Sequence, residues 1–133
     1  MSNQEMSELK VGDIVKAEVR TGQYAGEIVE LYGPRAVVKV LAVLKHPEQG
    51  DLHHPYNPDV AMFHERRALS YTEKTTVLLR DLKRYSEAIP DYKESLCAAA
   101  AAEIEQLDRL RRWSAQSLEL MQQLQKEYQS IKN

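Results

Sequence analysis

The sequence predicts an α+β fold: a small β-barrel over residues 1–74 followed by a three-helix extension over residues 75–133, the two packed as one structural unit. Three observations predict it. All five glycines and four of the five prolines precede residue 75, and only Pro90 follows it. The hydrophobic period changes at the same place, from the alternation of strands to the spacing of helices. The run AVVKVLAVL, Ala36 to Leu44, is apolar on both of its faces, so a strand there needs cover on each side. A closed barrel supplies one cover and the helices supply the other.

The strands follow in order. Val15, Ala17 and Val19 alternate with polar residues, the pattern of a half-buried strand, and Thr21-Gly22 then turns the chain. GEIVEL, Gly26 to Leu31, is the second strand and Tyr32-Gly33-Pro34 the next turn. Ala36 to Leu44 is the third and strongest. His46 to Pro58 is a long loop rich in Pro, Gly, Asp and His, and Val60 to Tyr71 offers one or two further short strands. Four or five short strands in about 60 residues suit an SH3-like barrel.

The helices follow. Thr75 or Thr76 is a good N-cap, and Leu78, Leu82, Tyr85 and Ile89 recur at helical spacing. Pro90 marks a boundary, because the residue before proline avoids the helical region. A second helix is expected from Pro90 to about Leu110, with Cys97, Ala100, Ile104 and Leu107 as its apolar stripe and five alanines favouring it. A third is expected from about Ser114 to Ile131, with Ser117, Leu120, Leu124, Tyr128 and Ile131 on one face, widened by Leu118 and Met121. Stripes of this kind ordinarily pack on a core; a stripe on the last helix could instead grip a partner helix.

Composition narrows the function. Of 133 residues 43% are hydrophobic and 29% charged, which is ordinary for a globular chain. The net charge of −2 is spread evenly: residues 1–75 carry 9 basic and 11 acidic groups, and residues 76–133 carry 9 of each. Neither half has the basic footprint of a nucleic-acid binder. A single cysteine, Cys97, rules out an intrachain disulfide and leaves no basis for a thiolate zinc site. The first ten residues lack the apolar core of a signal peptide, and no apolar run reaches the 18 or so residues of a membrane span. A cytoplasmic protein is expected, recruited to the inner face of the membrane only through a partner.

A search for reactive chemistry finds neither a phosphate-binding glycine loop nor a nucleophile-elbow serine. Cys97 falls on an expected apolar stripe, where a buried, inert thiol is the ordinary outcome. The four histidines, His46, His53, His54 and His64, all lie between residues 46 and 64, with Asp51, Asp59 and Glu65 among them. Such a set could bind a divalent cation or serve acid–base chemistry. Its spacing matches no metal motif, and adjacent His53 and His54 diverge in an extended chain. The expectation is therefore that these groups hold the loop through bonds to its backbone. Arg66 and Arg67 either pair with Glu48, Asp51 or Glu65 or present a rim to an acidic partner. His46, Asp51, His53, His54, Tyr56, His64, Glu65, Arg66 and Arg67 form the candidate partner surface, since histidines, Tyr56 and Phe63 beside charges make an interface-like mixture. No catalytic residue, metal ligand or cofactor is expected.

LAVLKHP (Leu41 to Pro47), QGDLH (Gln49 to His53) and FHERRALSY (Phe63 to Tyr71) resemble the kinase-associated protein B family of sporulating Firmicutes, also called kinase-associated lipoprotein B. TGQYAGEI (Thr21 to Ile28) and VVKVLAVL upstream, and IPDYKESL (Ile89 to Leu96) downstream, extend the resemblance over nearly the whole chain. It implies an SH3-like barrel with a helical extension and a non-catalytic role in the sporulation phosphorelay, beside a membrane histidine kinase or another relay component as protein partner. It brings no catalytic residues. The family name includes lipoprotein, yet no lipobox cysteine stands near Met1, so lipid anchoring is not expected. Two other readings stay open: a nucleic-acid or ribosome-associated small barrel, and a metal-binding protein using the histidine loop.

Overall fold

The computed structural model describes residues 9–132, which divide into two compact units, one ending at Ala100 and one beginning at Ala101. The first unit is built on a five-stranded antiparallel sheet: β1 (Ile14–Val19), β2 (Gly22–Tyr32), β3 (Arg35–Lys45), β4 (Lys74–Leu78) and β5 (Leu82–Arg84). Their order is β4-β3-β2-β1-β5, with a single 3-10 turn, Leu79–Asp81, between the last two strands. β4 pairs with β3 and β5 with β1; among the described residues these two end strands do not pair with each other, so the hydrogen-bonded ring of a closed barrel is not made.

Turn chemistry fixes the first three strands. Arg20 and Thr21 take φ of 48° and 71°, the double left-handed geometry whose twist matches a tight hairpin. Gly33, at φ 54°, makes the next reversal between Tyr32 and Arg35. β2 and β3 then run so close at Gly26 that an added Cβ would lie 2.5 Å from Val38 Cγ1 and 2.7 Å from Lys39 O, beside a register shift between Ala25 and Gly26.

The core has two parts. Val15, Ala17, Ile28, Ala36, Val38, Val77 and Leu82 form one; Tyr24, Val40, Val43 and Ala99 form the other. Ala36, Val38, Val40 and Ala42 are all fully buried, as the both-faces-apolar strand requires. Val43, on the opposite face, is covered by the first turns of α1 (Tyr92–Gln129) through Leu96 and Ala99. Beyond Lys39, β3 has no strand on its outer edge. Thr72 N–H donates to Val40 O at 2.7 Å, Val40 N–H donates to Glu73 O at 2.9 Å, and Val43 N–H donates to Ser95 Oγ at 3.0 Å. A helix hydroxyl thus satisfies an edge amide of the sheet.

Four expectations are corrected. The segment expected to open the helices at Thr75 or Thr76 is β4, the 3-10 turn and β5. Thr75, Thr76 and Val77 are a β-branched run, and Val77 and Leu82 are the residues that point inward. The 3-10 turn between them shifts the phase and imitates helical spacing. Val60 to Tyr71 holds no strand. In place of three helices the described residues hold one α-helix, Tyr92–Gln129, because no glycine or proline lies between Asp91 and Asn133 to interrupt it. Pro90 precedes its start, and Asp91 caps it by accepting from Glu94 N–H at 3.1 Å. Cys97 is exposed; the inward residues of the first turns are Ser95 and Ala99.

The second unit carries the rest of α1. Asp108 is held by Arg111 at 2.6 Å and Arg112 at 2.9 Å, and the Arg111 contact, then the Arg112 contact, keep its carboxyl below the usual carboxylate range. Its large apolar residues, Ile104, Trp113 and Leu120 among them, are exposed. Among the described residues no helix is long and apolar enough to cross a membrane.

Candidate functional site

Between β3 and β4, residues 46–73 carry no regular structure, and a loop of that length survives in a compact unit only if side chains tie it down. Arg66 is the main tie. Its Nη1 donates to Glu48 O and its Nη2 to Gly50 O at 3.1 Å, so one planar fork gathers two carbonyls from the other limb of the loop. Gln49 completes the stitch. Its Oε1 accepts from Arg66 N–H at 2.8 Å, and its Nε2 donates to Arg66 O at 2.9 Å and Pro47 O at 3.1 Å. Gly50, at φ 99°, donates its amide to His64 O at 2.9 Å, and the Phe63 ring lies against it. At the base, Pro47 is fully buried and Glu48 N–H donates to Thr21 Oγ1 at 2.8 Å, tying the loop to the β1–β2 turn.

The histidines play smaller parts than expected. His46 Nδ1 lies 2.9 Å from Pro47 O, and His54 Nδ1 pairs with Asp51 Oδ2 at 3.1 Å. Asp51 Oδ1 also accepts from His53 N–H at 2.9 Å; the His54 bond, then the His53 amide, hold its carboxyl below its ordinary range. The His53 ring and His64 are exposed. Among the described residues no three His, Cys, Asp or Glu side chains come together as a cation site. Glu65 and Arg67 pair at 3.0 Å in full solvent, a contact of little energetic weight. Of the nine residues the sequence singles out, Asp51, His53 and His54 cluster at one turn and Arg66 stitches the limbs. His46 is half-buried at the base of the loop, and Tyr56, His64, Glu65 and Arg67 are exposed.

Large apolar side chains are exposed along the loop as well. Tyr56 is 78% exposed, Met62 and Phe63 each 64% and Tyr71 57%. Tyr56 Oη donates to Glu48 Oε2 at 3.0 Å, and its φ of 63°, rare for a residue with a large side chain, is part of the turn that presents it.

Two residues outside the expected surface fix its far end. The Tyr24 phenol accepts from Leu69 N–H at 3.2 Å, and the Tyr92 phenol donates to Leu69 O. Both backbone groups of Leu69 are thus held by tyrosines from β2 and α1. Burial pushes both phenols above their ordinary value, the nearby Leu69 amide partly offsetting it at Tyr24. Tyr71 and Tyr92 rings meet at 5.6 Å and 53°. Beside them Leu41, Ile89 and Pro90 line an open apolar notch of about 540 Å³. A narrower hollow of about 310 Å³ lies between the β1–β2 turn and the loop, lined by Arg20, Arg66, Arg67 and Glu73 among others. Gln49, Met62 and the two clamping tyrosines were not singled out from the sequence. Gln49 gives no local signal; Tyr24 stands inside an alternating strand, where a buried phenol needs a polar partner.

The loop thus carries exposed aromatic and thioether side chains beside charged groups, on a backbone fixed by side-chain bonds. The sequence profile of a family described as kinase associated protein B matches residues 19–129. A protein of Bacillus subtilis strain 168 named kinase-associated lipoprotein B is 45% identical over 124 residues, spanning 92% of this chain and 97% of that one. The crystal structure of kinase-associated protein B from Bacillus cereus, 36% identical, superposes with a TM-score of 0.65 over 92% of this chain and 99% of the other.

Proposed function

Because the chain belongs to the kinase-associated protein B family, we propose that it is a non-catalytic accessory protein of histidine-kinase signalling in the sporulation phosphorelay, binding its protein partner through the outer side of residues 46–73. The observation that carries the choice of surface is the exposure of Tyr56, Met62 and Phe63 on a loop whose backbone is fixed from beneath by Arg66 and Gln49. Aromatic anchors on a preordered backbone bind without the entropy cost of ordering a loop. His53, His54, Glu65 and Arg67 form the polar rim around them. The strand order β4-β3-β2-β1-β5 with one 3-10 turn before the last strand supports describing the first unit as SH3-like. In this reading the protein works in the cytoplasm and meets the membrane through the kinase.

The test is crosslinking in a sporulating host followed by mass spectrometry, with Tyr56→Ser plus Phe63→Ser as the surface variant. Both residues are exposed, so the variant is expected to keep the wild-type circular dichroism. Recovery of a sensor histidine kinase or relay protein with wild type, reduced about tenfold with the variant, supports the reading. Equal recovery with both moves the surface elsewhere. Ribosomal or nucleic-acid partners in place of relay proteins set the kinase role aside.

A further inference from the structure

The exposed face of the second unit follows a strict heptad. Leu107, Leu110, Ser114, Ser117, Met121, Leu124 and Tyr128 recur along α1 at alternating spacings of three and four, the pattern of a helix–helix seam, and Ile131, two residues past the end of α1, keeps the spacing. Leu107, Leu110, Met121 and Tyr128 are 49–58% exposed, and Leu118 and Leu120 flank the seam at 59% and 60%. With their apolar neighbours these side chains leave on the order of 1,000 Å² of apolar surface open per copy, against the roughly 800 Å² per partner of a standard stable interface.

We propose that this face pairs with the same face of a second copy, antiparallel, about a two-fold axis beside Glu119. The two serines select the arrangement. In an antiparallel seam centred there, Leu107 faces Ile131 of the second copy, Leu110 faces Tyr128, Ser114 faces Leu124 and Ser117 faces Met121. Each small residue meets a large one, which is how packed layers fill without voids. Leu118 and Leu120, one on each flank, meet their own symmetry mates. The seam ends at Leu107, so Glu103, the next core position, stays outside it.

A parallel pair fails on the same residues. It stacks Ser114 on Ser114, Ser117 on Ser117 and Glu103 on Glu103, giving two hydroxyl layers with voids and one layer of like charges. Sliding the antiparallel pair by one heptad toward the N-terminal end sets Ser114 against Ser117. Sliding it the other way leaves Leu107 and Leu110 uncovered. Charge offers no barrier: residues 101–133 carry five acidic and five basic groups, and Asp108 is already neutralised by Arg111 and Arg112. A two-fold pairing of one surface with itself closes at two copies.

The test uses the full chain in two ways. Sedimentation velocity is expected to give a dimer at tens of micromolar. Met121→Glu is expected to raise the dissociation constant at least a hundredfold with unchanged helical circular dichroism, and Lys126→Glu, on the opposite face, to leave it within threefold. Disulfide trapping in a Cys97→Ser background reads the orientation without relying on a destabilising variant. Mixed Ser114→Cys and Leu124→Cys chains are expected to crosslink to each other and not to themselves. Ser114→Cys self-links with no mixed product mean a parallel pair and overturn the proposal. A wild-type chain that stays monomeric at a hundred micromolar, its face covered by its own first unit or kept for a different protein, overturns it as well.

Discussion

Arg66 decides whether residues 46–73 present one surface or many. Its fork spans Glu48 O and Gly50 O, and its own backbone is gripped by Gln49. Arg66→Ala strands two partly buried carbonyls, at a cost of about 1–3 kcal/mol. Arg66→Lys recovers little of it, because an ammonium cannot bridge both in one plane. Faster amide exchange at Gly50 and His64, with β2 and β3 unchanged, is the expected result in both variants. Asp51 controls the neighbouring turn. Its folded pKa lies below the unfolded value, so its contribution is present above the ordinary carboxylate pKa of about 3.9 and is lost as pH falls through the lower folded value. Amide exchange at His53, corrected for the intrinsic effect of pH, is expected to speed up in that acid window and to be independent of pH there in Asp51→Asn. A fast, pH-independent His53 amide in the wild type would remove the carboxylate from this role.

At the scale of elements, β3 holds the first unit together, and its needs were readable. Nine residues apolar on both faces announced a central strand with cover on each side, and β1 and β2 followed from alternation and turn residues. β4 and β5 were not readable in the same way. They are five and three residues long, and the turn between them breaks the phase that would have shown an inward Val77 and Leu82. The start of α1 misled for a different reason. Its buried face is marked by a serine, and Ser95 faces inward because β3 lacks a partner strand at Val43. A helical wheel assigns that position to solvent. Ser95→Ala keeps the helix and removes the acceptor, at an expected cost of about 1–3 kcal/mol, read as a lower melting temperature. Cys97→Ser, exposed two residues on, is expected to stay within about 0.5 kcal/mol of wild type.

At the scale of the whole molecule, the site is a surface assembled by parts far apart in sequence. The histidine-rich stretch was legible as a loop, but its fixing points were not, because Tyr24 and Tyr92 act on Leu69 across 45 and 23 residues. Their phenols carry raised pKa values, so the stability they add is complete below the unfolded tyrosine value of about 10 and is lost as pH rises through the folded values. The late-ionising phenolate absorbance is expected to shrink in Tyr24→Phe and in Tyr92→Phe; an unchanged titration curve in both variants would refute the clamp. The bond from Val43 to Ser95 has a further consequence, in the timing of synthesis. The acceptor is translated 52 residues after the donor, which at ordinary elongation rates is roughly three to ten seconds. For that interval β3, apolar on both faces, has an open edge at Val43, and its closure waits for the ribosome to deliver one serine.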